Sequence, residues 1–91
     1  MDSLEQMWSN ARRLIQRGKS NEALFLLERL AAEGEVYVFR EIGNLYRKGE
    51  DGITQDFDKA LSWLRIGYFE YNCADCASIL GFMYYLSLIH I

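Results

Sequence analysis

The residues of this chain best suited to chemistry are the pair in Cys73-Ala74-Asp75-Cys76. A Cys-x-x-Cys pair at a helix start can cycle between dithiol and disulfide, because the helix dipole lowers a thiol pKa. The same pair can supply half of a structural zinc site, which needs four ligands. Neither use is complete in this sequence. A redox pair usually follows a strand, and no strand leads into Cys73. For zinc there is a single histidine, His90, and no second cysteine pair. A plainer expectation is that Cys76 fills a small apolar slot between helices, since a free cysteine packs as a small hydrophobe.

Other catalytic constellations are harder still to assemble. One histidine supports no Ser/His/Asp or Cys/His arrangement. The carboxylates are scattered or sit at helix starts, so no acid/base pair stands out. Gly49-Glu50-Asp51-Gly52 lacks the ligand series of a calcium loop, and there is no Gly-x-x-x-x-Gly-Lys phosphate loop. The sequence predicts no enzyme, no metal site and no cofactor.

Composition narrows the classes further. The net charge of −3 argues against a nucleic-acid binder. The opening MDSLEQMW carries acids where a secretory signal needs positive charge. Two cysteines are too few for a disulfide scaffold, so a reducing cytoplasm is the expected location. From Cys76 to Ile91 there is no Lys, Arg, Asp or Glu. That run falls short of the ~20 apolar residues a bilayer span needs, and no membrane role is expected.

The elements that must position these residues read as helices. The chain has no Pro, and its 7 Gly fall as punctuation. Leu4, Met7, Trp8, Ala11, Leu14 and Ile15 recur at the helical period, with Ser3 and Gln6 as a capping box and Gly18 as the stop. Ala23, Leu24, Leu27, Leu30 and Ala31 form a second stripe, capped by Ser20 or Asn21 and ended by Gly34. Val38, Phe39, Ile42, Leu45 and Tyr46 form a third, closed by Gly49. Val36 to Phe39 could make a short strand, but they sit inside that helical stripe. A fourth helix carries Phe57, Ala60, Leu61, Leu64 and Tyr68, and a fifth begins at Cys73 with Asn72 as its cap.

The chain also repeats itself. Ile42-Gly43-Asn44-Leu45-Tyr46 returns 38 residues later as Leu80-Gly81-Phe82-Met83-Tyr84, and Ala23-Leu24 returns 37 residues later as Ala60-Leu61. Such a period means stacked helical hairpins. Gly43 and Gly81 fall mid-helix, where Gly costs about 1 kcal/mol relative to Ala. Close approach of a neighbouring helix is a good reason to accept that cost.

Ile42, Gly43, Tyr46, Gly49, Gly52, Asp56, Lys59, Ala60 and Trp63 together resemble a Sel1-like repeat. That pattern reads Leu-Gly-x-x-Tyr, a Gly-rich loop, then Asp-x-x-Lys-Ala-x-x-Trp. Gly67 and Tyr68 stand where it usually has Ala-Ala. The first hairpin, without the loop insertion, resembles the shorter tetratricopeptide repeat. The resemblance implies an all-α, right-handed helical-hairpin solenoid of two hairpins plus an unpaired fifth helix. Its units are a tetratricopeptide-like hairpin over 1–35, a Sel1-like repeat over 36–72, and the first helix of an incomplete third repeat over 73–91.

It also implies a function: non-catalytic protein–protein interaction, with a peptide or partner held in a concave groove, in a fragment of a longer repeat protein. Carried over from the tetratricopeptide pattern, the groove positions are Glu5, Trp8 and Arg12 in the first unit. In the second they are Tyr37, Arg40, Asn44 and Arg47, and in the third Asp75 and Ser78. Arg40 and Arg47 are two turns apart with Asn44 between them, and Arg12 extends the basic strip. Guanidinium forks suit a carboxylate, so the expected partner is an acidic peptide or a C-terminus. The alternatives are a structural spacer or oligomerisation segment and, further off, a redox or zinc module using Cys73 and Cys76.

The fifth helix ends unusually. Phe82, Tyr84, Tyr85, Leu88 and Ile89 would stay partly exposed on a helix with no hairpin partner, which also suggests self-association there. Leu86-Ser87-Leu88-Ile89-His90-Ile91 matches the translation of a transposon-derived adaptor end, CTG TCT CTT ATA CAC ATC. On that reading the last six residues, 86–91, are foreign and the natural chain runs on past Tyr85.

Overall fold

The computed structural model describes residues 3–49 and 52–89, the side chains of 86–89 excepted. The expectation that 86–91 are foreign falls outside those side chains, as does His90. Five helices follow one another: α1 (Leu4–Gln16), α2 (Ser20–Ala32), α3 (Tyr37–Lys48), α4 (Phe57–Tyr71) and α5 (Ala74–Ile89). Sequential neighbours pack antiparallel, α1 on α2, α3 on α4 and α4 on α5, while α3 also touches α2 and α5. The molecule is elongated, 48 × 28 × 16 Å. Val36 is the N-cap of α3 and Tyr37 to Phe39 form its first turn rather than a strand, with Val38 and Phe39 buried on the inner side.

Local chemistry explains most helix ends. Ser3 Oγ accepts the Gln6 N–H at 3.1 Å, and Asp56 Oδ1 accepts the Lys59 N–H at 3.0 Å. Helix α3 closes at Gly49 in the left-handed region (φ 65°), which a Cβ would disfavour. The loop then folds back on α3. The Asp56 N–H donates to the Tyr46 carbonyl at 2.9 Å, Gln55 Nε2 donates to the Arg47 carbonyl at 2.8 Å, and Ile53 is buried.

Two expected caps are corrected. Lys19 holds the N-cap position of α2 without a side-chain cap bond, so neither Ser20 nor Asn21 caps it. Ser20 is instead buried as the first helical residue. Asn72 does not cap α5. It takes the left-handed conformation (φ 55°) that ends α4, a geometry Asn tolerates better than most residues. The cap passes to Cys73. Its carbonyl accepts the Ala77 N–H at 3.2 Å, and its Sγ accepts the Cys76 N–H at 3.4 Å.

The core is one cluster running the length of the chain. Ala11, Ala23, Leu27, Leu30, Val38, Ile42, Ala60, Leu64 and Cys76 have no exposed surface. Two glycines set how closely the helices approach. A Cβ on Gly43 would lie 2.6 Å from Leu64 Cγ and Cδ2, so the α3–α4 contact runs over bare backbone. A Cβ on Gly67 would lie 2.6 Å from Cys76 Sγ and 2.7 Å from Phe39 Cβ. Gly67 is thus where α4 meets α3 and α5 together, and its departure from the Ala-Ala pattern makes room for the Cys76 sulfur.

Candidate partner-binding face

The odd-numbered helices α1, α3 and α5 carry all nine residues proposed to line a groove. Trp8 on α1 packs edge-on against Tyr37 on α3, with ring centroids 4.6 Å apart. Arg12, one turn further along α1, lies 5.9 Å above the Trp8 ring. These two contacts are of the kinds worth about 0.5–1.5 kcal/mol for an aromatic pair and 0.5–1 kcal/mol for an exposed cation–π pair. They join α1 to α3 through side chains. Tyr37 ionises above its usual value, first because it is partly desolvated, then because it bonds Glu35 and feels the charges of Glu35 and Glu5. Glu5 therefore sits at this end of the face with an acid that spacing alone did not single out, Glu35.

Further along, Arg40 on α3 reaches both ways. Its Nη2 pairs with Glu41 at 2.8 Å and its Nε lies 3.7 Å from Asp75 on α5. The Asp75 side chain is 76% exposed, so that second contact is worth little and is readily exchanged. Arg47 directs Nε and Nη2 at Asn44 Oδ1, 3.3 and 3.2 Å away. The strip is therefore not a row of free cations. Arg40 and Arg47 are held half-exposed by neighbours, and acids sit at the Tyr37 end. Ser78 is exposed on α5.

Sequence reasoning missed two residues on α5. At the repeat offset of 38, Asn44 and Arg47 correspond to Phe82 and Tyr85. Both are exposed, 52% and 60%. The repeat itself carried the signal, since the same offset had already matched Asp75 to Tyr37 and Ser78 to Arg40. The face thus changes from arginines on α3 to aromatics on α5.

The cysteine pair has a separate, structural setting. Burial comes first among the causes that push the Cys76 thiol up to about 12, followed by its contact with Cys73. A thiol held protonated is a poor nucleophile and a poor metal ligand. The Cys-x-x-Cys spacing is the spacing of a helix cap: the first sulfur reaches the backbone N–H three residues on. Among the described residues no group of three or more His, Cys, Asp or Glu converges as a metal site would require. No helix among them is long and apolar enough to cross a membrane.

A depression of about 380 Å³ lies elsewhere, between α2 and the α3–α4 loop, lined by residues such as Asn21, Phe25, Tyr46, Ile53 and Lys59. None of the nine face residues borders it. Comparison with protein-family models, curated proteins and solved structures finds no match, so the repeat resemblance rests on the motif residues themselves.

Proposed function

We propose that this chain is a non-catalytic binding module, a right-handed helical-hairpin solenoid of the Sel1-like and tetratricopeptide-like kind. Its α1–α3–α5 face holds an acidic peptide or a partner's C-terminus. The observation that carries the reading is the continuity of that face. Arg12, Trp8 and Tyr37 touch in sequence across α1 and α3, and Arg40 reaches from α3 to Asp75 on α5. An incoming carboxylate would displace the long, exposed Asp75 contact and take the freed Nε of Arg40, with Arg47 already oriented by Asn44. Trp8 and Tyr37 would provide the apolar platform beside it. A reducing cytoplasm suits the two free thiols.

The test is an array of acidic peptides with free or amidated C-termini, probed with the chain and with Arg40→Glu/Arg47→Glu. The reading expects micromolar binding that weakens at least tenfold on charge reversal and falls with added salt. Binding indifferent to reversal would sink it.

A second reading is favoured by the internal pairing of Arg40 with Glu41 and of Arg47 with Asn44. In that case the face is a solvated helix surface and the chain a structural spacer. The two differ plainly: a spacer shows no saturable binding by any peptide in the array.

A further inference from the structure

The α1–α3–α5 face changes character between its second and third helices. On α3 one row of it is Asn44 and Arg47, and 38 residues on the same row is Phe82 and Tyr85 on α5. The charge on α3 is open. Arg47 leans on the Asn44 amide, and among the described residues no carboxylate pairs with it. Arg40, by contrast, is already met by Glu41 and Asp75. The apolar surface on α5 is open as well, Phe82 and Tyr85 each being more than half exposed.

Stacking of a further layer would not close that surface. Asn44 and Arg47 do have a following layer, since α5 packs beside α3, and both stay half-exposed. The row thus lies on the open face rather than between layers. A helix placed after α5 as α5 is placed after α3 would leave Phe82 and Tyr85 accessible in the same way.

We propose that the face reads a two-part signal from a single extended peptide: a carboxylate on Arg47 and one large apolar side chain on Phe82 and Tyr85. This rests on the acidic-peptide reading above and narrows it. Charge complementarity selects the occupant, because an arginine without a carboxylate lies in the same row as the bare aromatics. Packed helices lie about 8–10 Å apart and an extended chain advances about 3.3 Å per residue, so about three residues step from α3 to α5. The ligand therefore carries Asp or Glu and, three residues away, Leu, Ile, Met or an aromatic. The two contacts divide the work. The charge steers encounter and sets register, while the apolar side chain separates true ligands from acidic stretches that leave Phe82 and Tyr85 in water.

The probes are short fluorescein-labelled Gly/Ser peptides, titrated with the 91-residue chain and followed by anisotropy. One carries a Glu pair with Leu three residues after it, a second has Leu three residues before the pair, and matched controls have Ala for Leu. One of the two Leu peptides should bind at least tenfold tighter than its Ala control. In Phe82→Ala/Tyr85→Ala that ratio should fall to about one, whereas Phe82→Leu/Tyr85→Leu should keep most of it. Both positions are exposed, so the variants should keep the parent's far-UV circular dichroism, and the Leu-to-Ala comparison in the peptide needs no variant at all. Equal affinity for Leu and Ala peptides, with binding still lost in Arg47→Glu, overturns this proposal and leaves the acidic-peptide reading standing. If no acidic peptide saturates, both fall. A preference for Leu that survives undiminished in Phe82→Ala/Tyr85→Ala also overturns it, by placing the apolar contact elsewhere. Sedimentation showing a dimer that Phe82→Ala/Tyr85→Ala dissolves, with no preference for Leu, would assign the aromatics to a second copy and overturn it equally.

Discussion

Gly43 and Gly81 occupy the same place in successive repeats, yet alanine should move stability in opposite directions at the two. At either site a helix-interior Gly→Ala change contributes about 1 kcal/mol through reduced backbone entropy in the unfolded chain and better helix propensity. At Gly81 nothing opposes that gain, because the new methyl has no neighbour within 4 Å. Gly81→Ala should therefore raise the unfolding midpoint. A gain of 1 kcal/mol corresponds to roughly 4–8 °C in a domain of this size. At Gly43 the methyl would sit 2.6 Å from Leu64 Cγ. Leu64 has no exposed surface into which to retreat, so α3 and α4 must separate. Overpacking of that kind costs about 1–3 kcal/mol. The net effect is between neutral and about 2 kcal/mol destabilising, leaving the two variants about 1–3 kcal/mol apart. Urea denaturation followed by circular dichroism, on each variant and the parent, measures the gap. If Gly43→Ala stabilises as much as Gly81→Ala, close approach is not what the glycine at position 43 provides.

Other expectations can be checked alongside. Gly67→Ala should destabilise by about 1–3 kcal/mol, and Cys76→Gly in the same chain should recover part of that loss. Recovery is partial because Phe39 Cβ still lies 2.7 Å from the added methyl; strict additivity in a double-mutant cycle would contradict the contact. Cys73→Ser should keep the parent's stability, since a hydroxyl caps as a thiol does, while Cys73→Ala should lose about 1 kcal/mol; equal midpoints for the two would remove the capping role. Cys76 should resist a thiol-labelling reagent under native conditions and react only on unfolding, and rapid native labelling of both thiols would contradict its burial. The same thiol makes stability depend on alkaline pH. Folding raises its pKa from 9.0 to about 12, so the unfolded chain loses the proton first. Stability is therefore complete below pH 9 and falls by up to about 1.4 kcal/mol per pH unit above it. Tyr37 and Tyr46 act in the same direction above 10. Denaturation midpoints between pH 8 and 10 should fall in the parent and flatten in Cys76→Ala.

What the sequence determined by itself was local. Apolar spacing placed five helices, because a helix repeats every 3.6 residues and its buried stripe must follow that period. Ser3, Gly18, Gly34 and Gly49 marked ends correctly because capping and positive φ are properties of a few neighbouring residues. The 38-residue repeat also pointed to Gly43 as a place of close approach. Caps that serve two helices were not legible. Asn72 suited either the end of α4 or the start of α5, and only the packed corner assigned it to α4 and gave α5 to Cys73. That Cys76 fills a small apolar slot was legible from the repeat, but that the slot lies against Gly67 and Phe39 was not.

The candidate face divides in the same way. Its helix positions followed from the repeat, but which charges remain available did not. Arg40 finds Glu41 beside it and Asp75 on another helix 35 residues away, and a pairing across α3 and α5 depends on how the layers stack. That Gly81 lacks a covering helix followed from the unpaired fifth helix, but tertiary structure alone identified Leu64 as the side chain that fills the place beside Gly43. The two glycines carry the same motif in sequence. They differ in whether a second helix lies across them, and that is set by packing between elements rather than by the residues of either one.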